Sequence, residues 1–213
     1  MGLLQRGEDR NSGKAVNSRQ NKKADGKLDM LVDMLAAAAG DKFVRTERKL
    51  LQKRNIFEGF RYLKYLDECY NFENRLFTVI YNHELSTNIE TDDRFEETGS
   101  CLFDIKASGK LHIKDTEWIC KEFEGSDEQK KAYLERLNNP LIKERIKALE
   151  LTKLKLSHEK DSSSWSIVME SIIGSTTWML LPPATSLIKP TPEECIKFLE
   201  LFELLADAAV NNK

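Results

Sequence analysis

A chain of 213 residues with 40% hydrophobic and 32% charged side chains can bury one real core, or at most two small ones. Its formal net charge of −2 argues against nucleic-acid binding by bulk electrostatics, and no apolar run approaches the ~18–20 residues that cross a bilayer. Four scattered cysteines (Cys69, Cys101, Cys120, Cys195) lack any Cys-x-x-Cys spacing, and the N-terminus has no apolar signal core. Reduced thiols and a cytoplasmic location are therefore expected.

Residues 1–26 are polar and are expected to be a disordered basic tail. Residues 1–27 carry seven basic side chains against three acidic ones, and a solvated leader is the default reading of such a run. Leu28, Leu31, Leu35 and Ala38, with Gly40 beyond them, predict a short amphipathic helix over Lys27–Ala39. Thr46 could cap a second helix in which Leu50, Phe57, Phe60 and Leu63 define an apolar face. Residues 27–70 are thus expected to be N-terminal helices, and 71–213 an α+β domain, with 27–213 one folded unit. Residues 71–84 suit a helix by spacing, yet Arg75–Tyr81 has strand composition, which favours a strand. A polar loop is expected over Ser86–Thr98.

Cys101, Phe103 and Ile105 alternate with polar residues, as do Leu111 and Ile113. A loop Ala107-Ser108-Gly109 would set Ile105 opposite Leu111 and Asp104 across from His112. Ser126-Asp127-Glu128-Gln129 is a capping box that predicts a helix to about Leu137; Asn138-Asn139-Pro140 ends it, and a second helix follows. Lys143, Arg145, Lys147, Lys153 and Lys155 are expected to give that helix and its extension a basic face. Trp165, Ile167 and Met169 alternate with polar partners, and Gly174-Ser175 predicts a turn before Thr176–Leu181, making Asp161–Pro183 a central hairpin. Thr191-Pro192-Glu193-Glu194 starts the closing helix. Its apolar arc, which includes Phe198, Leu201, Phe202 and Leu205, is wider than one packing face requires. Either two layers of the protein cover this helix, or one side of it meets a partner.

Catalytic spacings are missing. Neither common glycine-rich phosphate loop occurs, and His83-Glu84-Leu85-Ser86-Thr87 fails as a metalloprotease helix. The three histidines His83, His112 and His158 have no zinc spacing, and Glu90–Glu97 lacks the calcium-loop order. No cofactor, no metal and no catalytic residue is expected. An Asp104–His112 pair near Ser162–Ser164 is the one enzymatic arrangement worth testing, although such cross-strand pairs are normally small stabilising contacts.

Together these elements predict an α+β fold: an antiparallel sheet of about five strands with helices on one face and an N-terminal helical segment. Gly99-Ser100-Cys101-Leu102-Phe103-Asp104-Ile105, the strand Thr177–Leu181 ending at Pro182, and the acidic amphipathic closing helix resemble type III secretion chaperones and related secretion-chaperone-like domains. The resemblance spans about residues 98–209, rests on element order, and implies a binding scaffold. The expected function is a non-enzymatic protein-interaction module, adaptor or chaperone-like, with Phe198, Leu201, Phe202 and Leu205 as candidate partner contacts. The partner would be another protein, a second copy of the chain included, and no membrane. The alternative is a nucleic-acid-associated regulator using the tail (Arg10, Arg19, Lys22, Lys23) and the Lys143–Lys155 surface.

Overall fold

Strands of alternating burial dominate the computed structural model, which describes residues 19–90, 99–109, 113–160, 162–180 and 183–210. Helix α1 (Arg19–Ala39) leads through a 3-10 turn into β1 (Phe43–Lys49), β2 (Gln52–Phe57), β3 (Tyr65–Arg75) and β4 (Thr78–Glu90). Then come β5 (Cys101–Ser108), β6 (Asp115–Phe123), α2 (Asp127–Leu137) and α3 (Pro140–Ala148). The chain closes with β7 (Leu151–His158), β8 (Ser164–Leu180), β9 (Pro183–Leu187) and α4 (Pro192–Val210). All pairings are antiparallel, in the order β1-β2-β3-β4-β8-β7-β5-β6, with β9 folded back on β8.

This sheet of nine strands corrects the expected five, and the largest part of the difference lies before residue 91. The helix expected from Thr46 is instead the β1–β2 hairpin, turning at Leu50-Leu51 with Leu51 at φ 56°. Its strand signal is disguised because the inward residues of β2 are Lys53, Asn55 and Phe57, two of them polar. The ambiguous stretch 71–84 is two strands meeting at a turn over Leu76-Phe77. The expected loop from Ser86 is still strand as far as Glu90, and its remainder, with the acidic run, lies outside the described residues.

Two predicted hairpins are corrected as well. Phe103 pairs with Cys120 and Ile105 with Trp118, so β5 meets a strand further along than Leu111–Ile113. Asp161–Pro183 is no hairpin at Gly174. Ser164–Leu180 is one strand of 17 residues, and Gly174 lies within it at φ 89°. A glycine that could make a turn makes an irregularity in a long strand instead.

The capping signals of the three later helices hold, whereas α1 begins at Arg19, inside the stretch 1–26 expected to be a disordered tail and ahead of the expected start at Lys27. Ser126 and Gln129 form the reciprocal capping box of α2, Asn139 caps α3 with Pro140 at its start, and Thr191 and Glu194 reciprocate at α4. Each supplies partners to amide groups left free by helix geometry. The helices share one core with one parity of the strands: Leu66, Leu85, Phe103, Leu156 and Ile167 cluster with Leu35, Phe198 and Leu205. Helix α4 lies over β8 between α1 on one side and α2 and α3 on the other. Three neighbours explain its wide apolar arc. The opposite parity of the sheet forms a second face, carrying Glu84, Lys153 and Glu170.

Candidate functional site

The sheet changes register where β4 passes β8, between Tyr81 and His83. Gly174 stands opposite this step, buried, with the His83 ring against its backbone: a Cβ there would lie 2.3 Å from His83 Nδ1. Glycine is needed twice at this point, for its positive φ and for the space the imidazole takes. Here the sheet has different chemistry on its two faces.

On the helix side is a buried polar centre. Glu68 and His83 are 0% and 2% exposed, with Glu68 Oε2 3.1 Å from His83 Nε2. Asn55 donates to Glu68 Oε1 at 3.1 Å and to the Val32 carbonyl at 3.2 Å, tying the pair to α1. Tyr70 donates its hydroxyl to the Gly174 carbonyl at 2.7 Å. His83 Nδ1 faces the Ile173 carbonyl at 3.3 Å; a carbonyl only accepts, so Nδ1 carries hydrogen. Burial pushes Glu68 above the ordinary carboxylate range, opposed by its hydrogen bond with His83. Sealed under α1, this pair is closed to solvent and ties β3, β4 and β8 together.

Beside it, Lys53 is 3% exposed and reaches Asp25 at 2.8 Å and Asp29 at 3.2 Å, both on α1. Arg48 completes the cluster by pairing with Asp29 and Asp33. A buried ammonium is tolerated because carboxylates meet it.

On the other face a groove of about 350 Å³ opens over β3, β4, β8 and β9. Ile80, Ile172 and Ile188 supply apolar walls, while Asn82, Ser175 and Thr177 offer hydrogen-bonding groups and Glu73, Arg75 and Glu170 bring charge. Ile172 and Ile188 are 40% and 48% exposed. Ser175 is a structural hinge of this wall: its hydroxyl donates to the Ser171 carbonyl at 2.7 Å and accepts from the His83 amide at 3.0 Å. The groove and the buried pair are thus two sides of one irregularity in the sheet.

The residues singled out from sequence fall elsewhere. Phe198, Leu201, Phe202 and Leu205 are at most 1% exposed, enclosed by the sheet and the other helices. The partner-facing reading of that arc is corrected: these four are core. Two acidic residues of α4 are engaged by the loop after β2, while Glu193 and Glu200 stay exposed. Glu203 accepts from the backbone amides of Arg61, Tyr62 and Leu63 at 3.0, 2.9 and 2.7 Å. Asp207 takes the Tyr62 hydroxyl at 2.9 Å.

The expected basic surface Lys143–Lys155 is divided, because Leu151–His158 is a strand. Lys143 and Lys147 ride on α3, whereas Lys153 bonds Glu84 on the sheet's other face at 3.1 Å. Asp104 sits in the ladder opposite Ile119 and Lys155, and its carboxylate accepts from the Ile105 amide; His112 lies outside the described residues. Ser162 and Ser164 bond each other at 3.2 Å. Burial pushes the Cys69, Cys101 and Cys195 thiols up to about 12, far from a reactive thiolate. Among the described residues no group of three or more His, Cys, Asp or Glu could hold a metal ion.

Sequence reasoning missed Glu68, His83 and the groove. One signal was there: in Leu66-x-Glu68-x-Tyr70 and Tyr81-x-His83-x-Leu85 a titratable residue takes the buried parity of a strand. Two such interruptions in neighbouring strands suit each other. The groove left no comparable trace, since its walls come from strands far apart in sequence.

Fold and site define a single helix-backed antiparallel sheet, with a polar lock inside and a grooved face outside. The chain belongs to the family described as Protein of unknown function (DUF3156), whose model matches residues 33–209. No curated protein and no solved structure matches it.

Proposed function

We propose that this protein is a non-enzymatic interaction module that takes an extended segment of a partner protein on the open face of its sheet. The observation that carries the reading is the groove beside Gly174, where isoleucines and hydrogen-bonding side chains alternate along adjacent strands. Its volume of about 350 Å³ is near the small end for ligand pockets, and suits two or three side chains of a peptide. Exposed β-branched residues flanked by Asn, Ser and Thr give such a segment apolar anchors and a means of fixing its direction. The raised thiol pKa values and the sealed Glu68–His83 pair support a role without catalysis. Four free cysteines accord with a cytoplasmic setting. A second copy of the chain is one admissible partner.

The test is site-specific photo-crosslinking in native cell extract. A photoreactive residue at Asn82 or Thr177 is expected to give discrete adducts that Ile172→Asp abolishes; one at Lys131, exposed on α2, is expected to give none of them. Identical adducts from Lys131, or adducts indifferent to Ile172→Asp, would refute the reading.

A further inference from the structure

One end of the molecule gathers exposed apolar side chains and cations. Leu76 and Phe77, at the β3–β4 turn, are 85% and 53% exposed. Two-residue hairpin turns ordinarily favour Asn, Asp and Gly, so a Leu-Phe pair in water there calls for a reason. Thr78 pairs with Met179 and Leu180 with Pro183, which sets the end of β8 and the start of β9 beside that turn. Met179 is itself 39% exposed. The sequence over 74–79 reads Asn-Arg-Leu-Phe-Thr-Val, and no acidic residue occurs from 177 to 186.

The N-terminal end of α1 reaches the same place. Tyr81 donates to Asn21 at 2.7 Å, and Lys23 lies 4.8 Å over the Trp178 ring. Lys22 and Lys23 are exposed, and Lys27 has its pKa lowered by burial and then by Lys23. The one acidic residue in the first two turns, Asp25, is engaged by Lys53 and the Leu51 amide; Glu73 faces Arg75. From this end the chain continues into residues 1–18, where Arg6, Arg10 and Lys14 outnumber Glu8 and Asp9.

We propose that this end, where Leu76, Phe77 and Met179 lie beside the cationic N-terminal end of α1 with Lys22 and Lys23, docks on an anionic lipid surface. Apolar turn residues would enter the interface while cations stay at headgroup level, drawn to the anionic surface. The sequence-based expectation of no membrane partner rested on the lack of a spanning segment, which does not bear on docking from one side. This surface is separate from the groove.

Sedimentation of the full chain with vesicles decides it. Binding to phosphatidylcholine vesicles containing about 30% phosphatidylserine is expected to exceed binding to pure phosphatidylcholine at least about fivefold, and to fall as salt rises from about 0.1 to 0.5 M. Leu76→Ser with Phe77→Ser, and separately Lys22→Glu with Lys23→Glu, should each lower it about fivefold or more. Ile172→Asp in the groove should leave it unchanged. No preference for the anionic vesicles, or sedimentation indifferent to Leu76 and Phe77, would overturn the proposal. So would loss of a protein crosslink, in place of vesicle binding, on changing the two turn residues, since that assigns the end to a protein.

Discussion

Gly174 and Glu68 are the residues on which the site's geometry turns. Gly174→Ala forces a non-glycine residue to φ 89° and drives its Cβ into His83; we expect a loss of about 2–3 kcal/mol, read as a lower urea midpoint with unchanged slope. Glu68 gives a pH signature. Its folded pKa lies above 4.5, so between those values the native protein holds a proton the unfolded chain has released. That contribution to stability is fully present below about 4.5 and is lost as pH rises through the folded value. Urea unfolding across this range should show wild type losing ground to Glu68→Gln as pH rises. A constant difference between them would mean that Glu68 does not titrate differently in the folded state.

Among the elements, α4 shows how much the sequence could tell. Its start, at Thr191 and Glu194, was legible because capping is local chemistry. Its wide apolar arc admitted two explanations, and only the placement of α1, α2 and α3 around it chooses burial. Its acidic residues looked like a surface feature, yet Glu203 holds the loop after β2 through three backbone amides. Glu203→Ala should cost about 1–2 kcal/mol by chemical denaturation, whereas changing Glu200, which meets Arg145 near the surface, should cost well under about 1 kcal/mol. The preference for strand over residues 71–84 held, but β1, β2 and the start of β3 were illegible for the opposite reason. Lys53, Asn55, Glu68 and His83 occupy inward positions, so the apolar alternation that marks a strand is broken where the lock is built. Gly174 misled because a turn and an irregular strand ask for the same backbone freedom.

Across the whole molecule, one sheet joins the segment before residue 91 to the part after it through the β4–β8 pairing. The strands at the two ends of the eight-strand path are protected differently, while β9, paired only with β8, is a further edge. Strand β1 carries Arg45, Glu47, Arg48 and Lys49, a charged edge that discourages pairing with another chain. On β6, Asn138 Oδ1 accepts the Trp118 amide at 3.1 Å, covering an edge donor with a side chain from the α2–α3 junction. With β1 and β6 guarded and α4 enclosed, the proposed partner surfaces are the grooved face and the apolar end. A comparison of Ile172→Asp with Phe202→Ala tests that division most directly, each followed by urea unfolding and by crosslinking from Thr177. Ile172→Asp should change stability by no more than about 0.5 kcal/mol and abolish the adduct, while Phe202→Ala should cost about 3–5 kcal/mol yet retain the adduct wherever the protein is folded. An adduct that survives Ile172→Asp, or one lost in folded Phe202→Ala, would contradict the account.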